Sequence, residues 1–96
     1  MRPSEALELH RDKVREIIAR YPVSNPRVFG STARGDDTEG SDLDLLVHPE
    51  GKLTYFDLAR LALDLEGLLG CKVDLGEDNT LKPYAADRIL ADARPI

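Results

Sequence analysis

Hydrophobic positions along the chain follow two different periods, one typical of helices and one typical of strands. Over residues 4–21 the apolar side chains recur three and four positions apart, which predicts a first helix with Ser4 as its N-cap. Thr54 is a suitable cap for a second helix that runs to about residue 69 and ends at Gly70. The same spacing predicts a final helix over residues 81–93.

Strand periodicity is clearest over residues 42–48, where side chains alternate between two faces. One face carries only apolar side chains and the other carries two carboxylates and a leucine: Leu43, Leu45 and Val47 against Asp42, Asp44 and Leu46. Shorter strands are predicted over residues 27–30 and 71–75, the first of them after a turn at residues 25–26.

The predicted order is helix, strand, strand, helix, strand, helix. This order predicts an α+β fold in which helices pack on one small mixed β-sheet, with residues 1–96 as a single domain. A composition of 42% apolar and 32% charged residues suits a globular chain. The chain has neither an apolar run of about 20 residues nor the apolar core of a signal peptide, so we expect no membrane contact and a cytoplasmic location.

Two apolar residues of the second helix, Phe56 and Leu63, lie off its main apolar stripe. They indicate either burial elsewhere in the domain or a surface for a partner, and burial is the simpler expectation. The single cysteine, Cys71, excludes an internal disulfide and a cysteine zinc site, so we expect it to pack near a strand.

The formal net charge of −5 argues against direct binding of nucleic acid, which normally requires a basic surface. The charge is also unevenly distributed. Residues 1–35 hold seven Lys or Arg against four Asp or Glu, whereas residues 36–96 hold six against fourteen. Such a chain could offer cations to a phosphate and carboxylates to a metal ion.

Carboxylates on a strand need an explanation, because aspartate is disfavoured there. Asp42 and Asp44 share one face, and Asp74 is predicted to join them if its strand is a neighbour. Clustered anions raise one another's pKa unless a cation lies among them, so the pattern indicates Mg²⁺, as one or two ions. The alternative is the solvated face of an edge strand.

The residues before this strand suit a phosphate group. Gly30 permits close approach of the backbone, and Ser31 offers a hydroxyl and an amide at the start of a short helix. Arg34 could bind phosphate, or could form an ion pair with Asp42 or Asp44. The remaining acids of the loop are expected to be solvated charges: Asp36, Asp37 and Glu39.

Gly30 and Ser31, followed after ten residues by Asp42, Leu43 and Asp44, resemble the signature of the DNA polymerase beta nucleotidyltransferase superfamily. The "GSTARG" stretch and the later Asp74 are most similar to the minimal nucleotidyltransferase branch, the MntA-like antitoxins. The resemblance covers about residues 25–76 and implies a polymerase beta palm-like fold.

This resemblance implies that Gly30 and Ser31 bind the phosphates of ATP, and that Asp42 and Asp44 bind Mg²⁺. Asp74 would be the third carboxylate, although Glu77 and Asp78 lie close by. AMP would then be transferred to a hydroxyl, typically a tyrosine of a HEPN-domain RNase toxin. A non-catalytic antitoxin that acts by binding its toxin, and a small-molecule nucleotidyltransferase, are the alternatives.

Overall fold

The computed structural model describes all 96 residues of the chain. A turn of 3-10 helix at Asp78–Thr80 follows the third strand. The helices are α1 (Pro3–Leu9), α2 (Arg11–Ile18), α3 (Gly30–Arg34), α4 (Tyr55–Leu69) and α5 (Pro83–Asp92), and the strands are β1 (Val23–Phe29), β2 (Leu43–Pro49), β3 (Val73–Glu77) and β4 (Arg94–Pro95).

The four strands form one mixed sheet in the order β3-β2-β1-β4. Strand β1 pairs antiparallel with both β2 and β4, whereas β2 and β3 are parallel and are joined through α4. This arrangement confirms the predicted α+β class. It also makes β2 an interior strand, so its carboxylates do not lie on a free sheet edge.

The core lies on the face of the sheet that carries Leu43 and Leu45, which are completely buried. Helices α1, α2 and α4 supply the opposing layer, with fully buried Val14, Leu61 and Leu65 at its centre. The period of two along β2 and the helical period along α2 and α4 therefore converge on one hydrophobic cluster.

Helix α4 begins and ends where the sequence predicts. The Thr54 hydroxyl accepts a hydrogen bond from Asp57 N, and the Asp57 carboxylate accepts one from Thr54 N, which together form a capping box. Gly70 ends the helix with φ +72°, a left-handed conformation that favours glycine.

The first helix was predicted as one piece over residues 4–21, and this is wrong. Two helices, α1 and α2, meet at His10, whose backbone (φ −111°, ψ 20°) is not helical. The break lets each segment bury its own apolar side chains, Ala6 and Leu7 from α1 and Val14 with its neighbours from α2. No proline or glycine marks His10, so the sequence pattern alone continues through it.

The turn predicted at residues 25–26 is also wrong, because β1 begins at Val23 and continues through it. The pairing register with β2 shifts between Ser24 and Arg27, which identifies a β-bulge at Asn25 and Pro26. Asn25 has φ +49° and Pro26 has no N–H to donate, so the bulge accommodates both residues inside a strand.

The chain after α5 adds a strand that the sequence pattern did not predict. Arg94 and Pro95 pair with β1, and Ile96 N donates a hydrogen bond to Pro26 O. The side chain of Ile96 is buried in the core cluster, and its carbonyl accepts a hydrogen bond from Arg15 Nε. This segment therefore belongs to the fold.

The expectation that Phe56 and Leu63 are buried is wrong. Their exposed fractions are 86% and 67%, so both lie on the surface of α4. Cys71 is a free, partly buried thiol packed against the core, as expected. None of the helices has the length and apolarity needed to span a bilayer.

Candidate functional site

The site is built on the contact between Gly30, at the start of α3, and Asp44 on β2. A Cβ atom on Gly30 would lie 2.6 Å from Asp44 Oδ2, so the carboxylate occupies the space that any other side chain would need. Gly30 also has φ +70°, which disfavours other residues. The glycine therefore allows the Gly-Ser corner to lie directly on the acidic strand.

Asp44 and Asp74 lie side by side on neighbouring strands. In the parallel pairing of β2 with β3, these two residues are direct partners, and the register continues from Leu43 with Val73 to Val47 with Glu77. Asp42 lies two residues before Asp44, on the same side of the chain. Strand β3 begins two residues later than predicted, but Asp74 remains beside Asp44.

The surroundings of Asp44 oppose its ionisation. Burial raises the pKa of Asp44, the negative charges of Asp74 and Asp42 raise it further, and Arg34 acts in the opposite direction. Burial also raises the pKa of the Cys71 thiol, with smaller contributions from Asp42 and Glu66. The protein thus concentrates negative charge that a bound cation would offset.

The donor set fits Mg²⁺ bound together with a nucleotide. No three His, Cys, Asp or Glu side chains lie close enough to enclose a metal ion by themselves. Mg²⁺ commonly takes only one or two protein carboxylates and completes its octahedron with phosphate oxygens and water. An open row of hard oxygen donors beside the Gly-Ser corner is therefore suitable.

Ser31 and the start of α3 form the other half of the site. The Ser31 side chain is partly exposed and makes no hydrogen bond to another protein group, whereas its carbonyl accepts one from Asp36 N at 3.0 Å. Its hydroxyl is thus available to a ligand. The predicted short helix after Gly30 is confirmed as α3.

Arg34 forms ion pairs, but not with the aspartates considered from the sequence. Its Nη1 lies 2.7 Å from Asp92 Oδ2 on α5, and its Nε lies 3.4 Å from Asp36 Oδ2. The predicted ion pair between Arg34 and Asp42 or Asp44 is therefore wrong. The guanidinium is about half exposed and connects α3 with the end of α5.

Asp37 was expected to be a solvated loop charge, and this is wrong. Its side chain is buried, and Oδ2 accepts a hydrogen bond of 2.8 Å from Ser4 N at the start of α1, with Arg2 Nη1 at 3.7 Å from Oδ1. Burial opposes ionisation, but the hydrogen bonds outweigh it and the pKa is lowered. Asp37 thus fixes α1 to the loop that precedes β2.

A second ionic cluster that the sequence did not reveal lies beyond β3. Asp78 accepts a hydrogen bond from Arg27 Nη2 at 2.6 Å and lies 2.9 Å from His48 Nδ1. Burial opposes its ionisation, yet these partners lower its pKa overall. Asp78 is thus paired with Arg27 on β1 and His48 on β2. Asp74 is the acid of this region that lies beside Asp44.

Comparison with known proteins supports the same interpretation. A sequence profile of the nucleotidyltransferase domain matches residues 11–96. A protein of Methanocaldococcus jannaschii, named as a protein adenylyltransferase, is 42% identical over 82 residues, which cover 84% of this chain and 87% of that protein.

Solved structures extend the comparison to the fold. A minimal nucleotidyltransferase superposes with a TM-score of 0.85 at 45% identity, over 97% of this chain and 95% of the other. A tri-AMPylated HEPN toxin of Shewanella oneidensis in complex with its MNT antitoxin matches with a TM-score of 0.70 at 18% identity, over 92% of this chain and 69% of that one. The second likeness shows a shared fold.

The sequence profile covers most of the chain, and the relative from Methanocaldococcus jannaschii covers more than four-fifths of it. The mixed sheet agrees with the structure of a minimal nucleotidyltransferase over nearly its whole length. The resemblance to the minimal nucleotidyltransferases is thereby confirmed, and the chain belongs to the nucleotidyltransferase family, in its minimal branch.

Proposed function

We propose that this chain transfers AMP from ATP to a hydroxyl group of a partner protein, and that the partner is a HEPN-domain RNase toxin which the transfer silences. The contact of Gly30 with Asp44 carries the proposal, because it joins a phosphate-binding corner to a row of carboxylates. The relative named as a protein adenylyltransferase and the AMPylated toxin complex support the choice of acceptor.

In the proposed reaction, Gly30 and Ser31 bind the triphosphate through the backbone and the free Ser31 hydroxyl. Asp42 and Asp44 would hold Mg²⁺, which neutralises phosphate charge and activates the phosphorus toward attack. Asp74, beside Asp44, orients the acceptor hydroxyl and accepts its proton. A bond forms between the acceptor oxygen and the α-phosphorus, the bond from that phosphorus to the bridging oxygen breaks, and pyrophosphate leaves.

We propose a cytoplasmic location, because the proposed reaction uses ATP and an RNase partner. The acidic composition suits a protein acceptor rather than a nucleic acid. We further propose that residues 1–96 act as one domain that supplies the nucleotide site, while the partner supplies the acceptor.

The test uses the protein encoded next to this chain's gene, incubated with this protein, ATP and MgCl₂ and analysed by intact-protein mass spectrometry. We expect mass gains of AMP units with the wild type and none with Asp42→Asn/Asp44→Asn. Asp12→Asn/Asp87→Asn removes the same two charges from exposed helix positions and should retain full transfer.

Two results would contradict the proposal. Equal transfer by the Asp42→Asn/Asp44→Asn variant would exclude these carboxylates from the chemistry. A stable complex with no mass gain in the wild type would replace transfer by neutralisation through binding alone.

A further inference from the structure

Helix α4 has an apolar surface on the side that faces away from the core. Tyr55 and Phe56 are 88% and 86% exposed, and Leu63 is 67% exposed. Phe56, Ala59 and Leu63 recur at intervals of three and four residues, so they form a stripe along one face of the helix. A helix that is apolar on both its core and its outer side is normally covered on both.

This stripe continues into a groove of about 380 Å³ between α4 and β3. Tyr55 and Ala59 form one wall of the groove, and Leu75, Gly76 and Glu77 form the other. Strand β3 is an edge of the sheet, so nothing in the chain closes this side. We refer to the stripe and the groove together as the α4 surface.

The edge strand β3 lies between the α4 surface and the candidate active site. Gly76 lines the groove and lies two residues from Asp74, a separation of roughly 7 Å along a strand. Asp44 and Asp74 lie on the face of the sheet opposite to α4, and β3 is the edge strand between that face and the groove. A protein that covers the α4 surface and extends around the edge of β3 would therefore reach Asp74. This is the position that a protein acceptor must reach in order to present its hydroxyl group.

The charges around this surface identify the chemistry of the occupant. Residues 55–77 contain five acidic side chains and two basic ones, and none of the seven forms an ion pair within the chain. Two copies meeting through this face would bring like charges together, which opposes a symmetric dimer. A partner with apolar side chains surrounded by Lys and Arg would be complementary, and proteins that bind RNA carry such basic surfaces.

We infer that the α4 surface is the docking site for the acceptor protein, which it holds with its hydroxyl directed toward Asp74. This inference rests on the proposed function, because the acceptor is the RNase partner of that reaction. The outer stripe then explains why α4 carries Phe56 and Leu63 at positions that contribute nothing to the core.

The test compares Phe56→Glu/Leu63→Glu with Leu9→Glu, which introduces charge at an exposed leucine on α1. Calorimetry measures binding of the purified protein from the adjacent gene, and mass spectrometry measures AMP transfer to it. We expect the double variant to bind about 100-fold more weakly and to lose transfer in proportion, because charge replaces apolar contact at the interface centre. Binding of Mg²⁺ and ATP should be unchanged in both variants, which shows that the fold and nucleotide site remain intact.

The outcomes separate the inference from the proposed function. If the double variant binds and modifies the partner as the wild type does, the docking site lies elsewhere while the proposed function stands. If the wild type binds the partner through this surface but transfers no AMP, docking stands and the proposed reaction fails. If the double variant only converts a dimer of this chain to a monomer, the α4 surface is a self-association site and the inference is overturned.

Discussion

At the residue scale, Gly30 determines whether the Gly-Ser corner and the carboxylate row can meet. A methyl group there would collide with Asp44 Oδ2 and would also require a left-handed backbone. The two effects are separable, because Gly70 has nearly the same φ but nothing within 4 Å of its Cβ position. The chain therefore contains its own control for the contact.

We expect Gly30→Ala to lower AMP transfer by about 100-fold or more, because displacement of Asp44 by a fraction of an ångström disturbs the reacting geometry. Gly70→Ala should lower the free energy of unfolding by about 1 to 2 kcal/mol, because alanine disfavours the left-handed backbone there as it does at position 30. This variant should keep its AMP-transfer activity. Transfer rates and thermal unfolding of both variants provide the measurement. Equal activities would show that the close contact has no catalytic consequence.

Asp37 is the second residue whose role depends on its surroundings. We expect Asp37→Asn to lower the free energy of unfolding by about 2 kcal/mol, because a charged acceptor is removed from the buried start of α1. Glu39→Gln, which changes an exposed pair with the N-terminus, should change it by less than about 0.5 kcal/mol.

The pH dependence of stability gives an independent check on Asp37. Its pKa in the folded protein is lowered from an ordinary value of 3.8, so its stabilising contribution is complete above that value. The contribution should disappear as the pH falls below about 4 toward the lowered pKa. Urea unfolding of wild type and Asp37→Asn should therefore differ near neutrality and converge at acid pH, and a constant difference would contradict this role.

At the element scale, what the sequence predicts depends on whether an element is defined by its own residues or by its neighbours. Helix α4 has its cap, apolar face and terminal glycine within the sequence, so its bounds follow from it. Strand β4 has two residues and exists only because β1 lies beside it, and the bulge in β1 depends on pairing with β2. Local periodicity carries no information about such pairings.

The candidate site likewise has some features that the sequence predicts and others that depend on distant residues. The spacing of Gly30, Ser31, Asp42 and Asp44 is visible along the chain, and the structure places Gly30 against Asp44. Asp92, which pairs with Arg34, and Ser4, which donates to Asp37, lie 58 and 33 residues away, so these contacts could not be inferred from spacing.

The ion pair between Arg34 and Asp92 connects α3 to α5 and gives a prediction for both elements. If Arg34 also binds phosphate, Arg34→Ala should raise KM for ATP by about tenfold, since a charge-assisted contact is lost. Asp92→Asn should leave KM unchanged or lower it, because the guanidinium is freed for the nucleotide. If both variants lower the melting temperature alike and neither alters KM, Arg34 serves only to fasten α5.

At the scale of the whole molecule, the uneven charge distribution matters more than any single pair. The net charge is −5, and the second part of the chain, which carries the paired aspartates and the α4 surface, holds fourteen acidic residues against six basic ones. A field of this sign attracts a basic partner over distances comparable to the Debye length of about 10 Å at 0.1 M salt. Long-range attraction and short-range apolar contact should then act on different rate constants.

We therefore expect the association rate constant with the basic acceptor protein to fall by about tenfold or more between low salt and about 0.5 M NaCl, while the dissociation rate constant changes less. Phe56→Glu/Leu63→Glu adds negative charge but removes apolar contact, so it should retain the steep salt dependence of association and dissociate much faster. Stopped-flow measurements across salt concentrations separate the two constants. An association rate that is independent of salt would mean that the acidic part of the chain does not steer the partner, and that its carboxylates serve the nucleotide site alone.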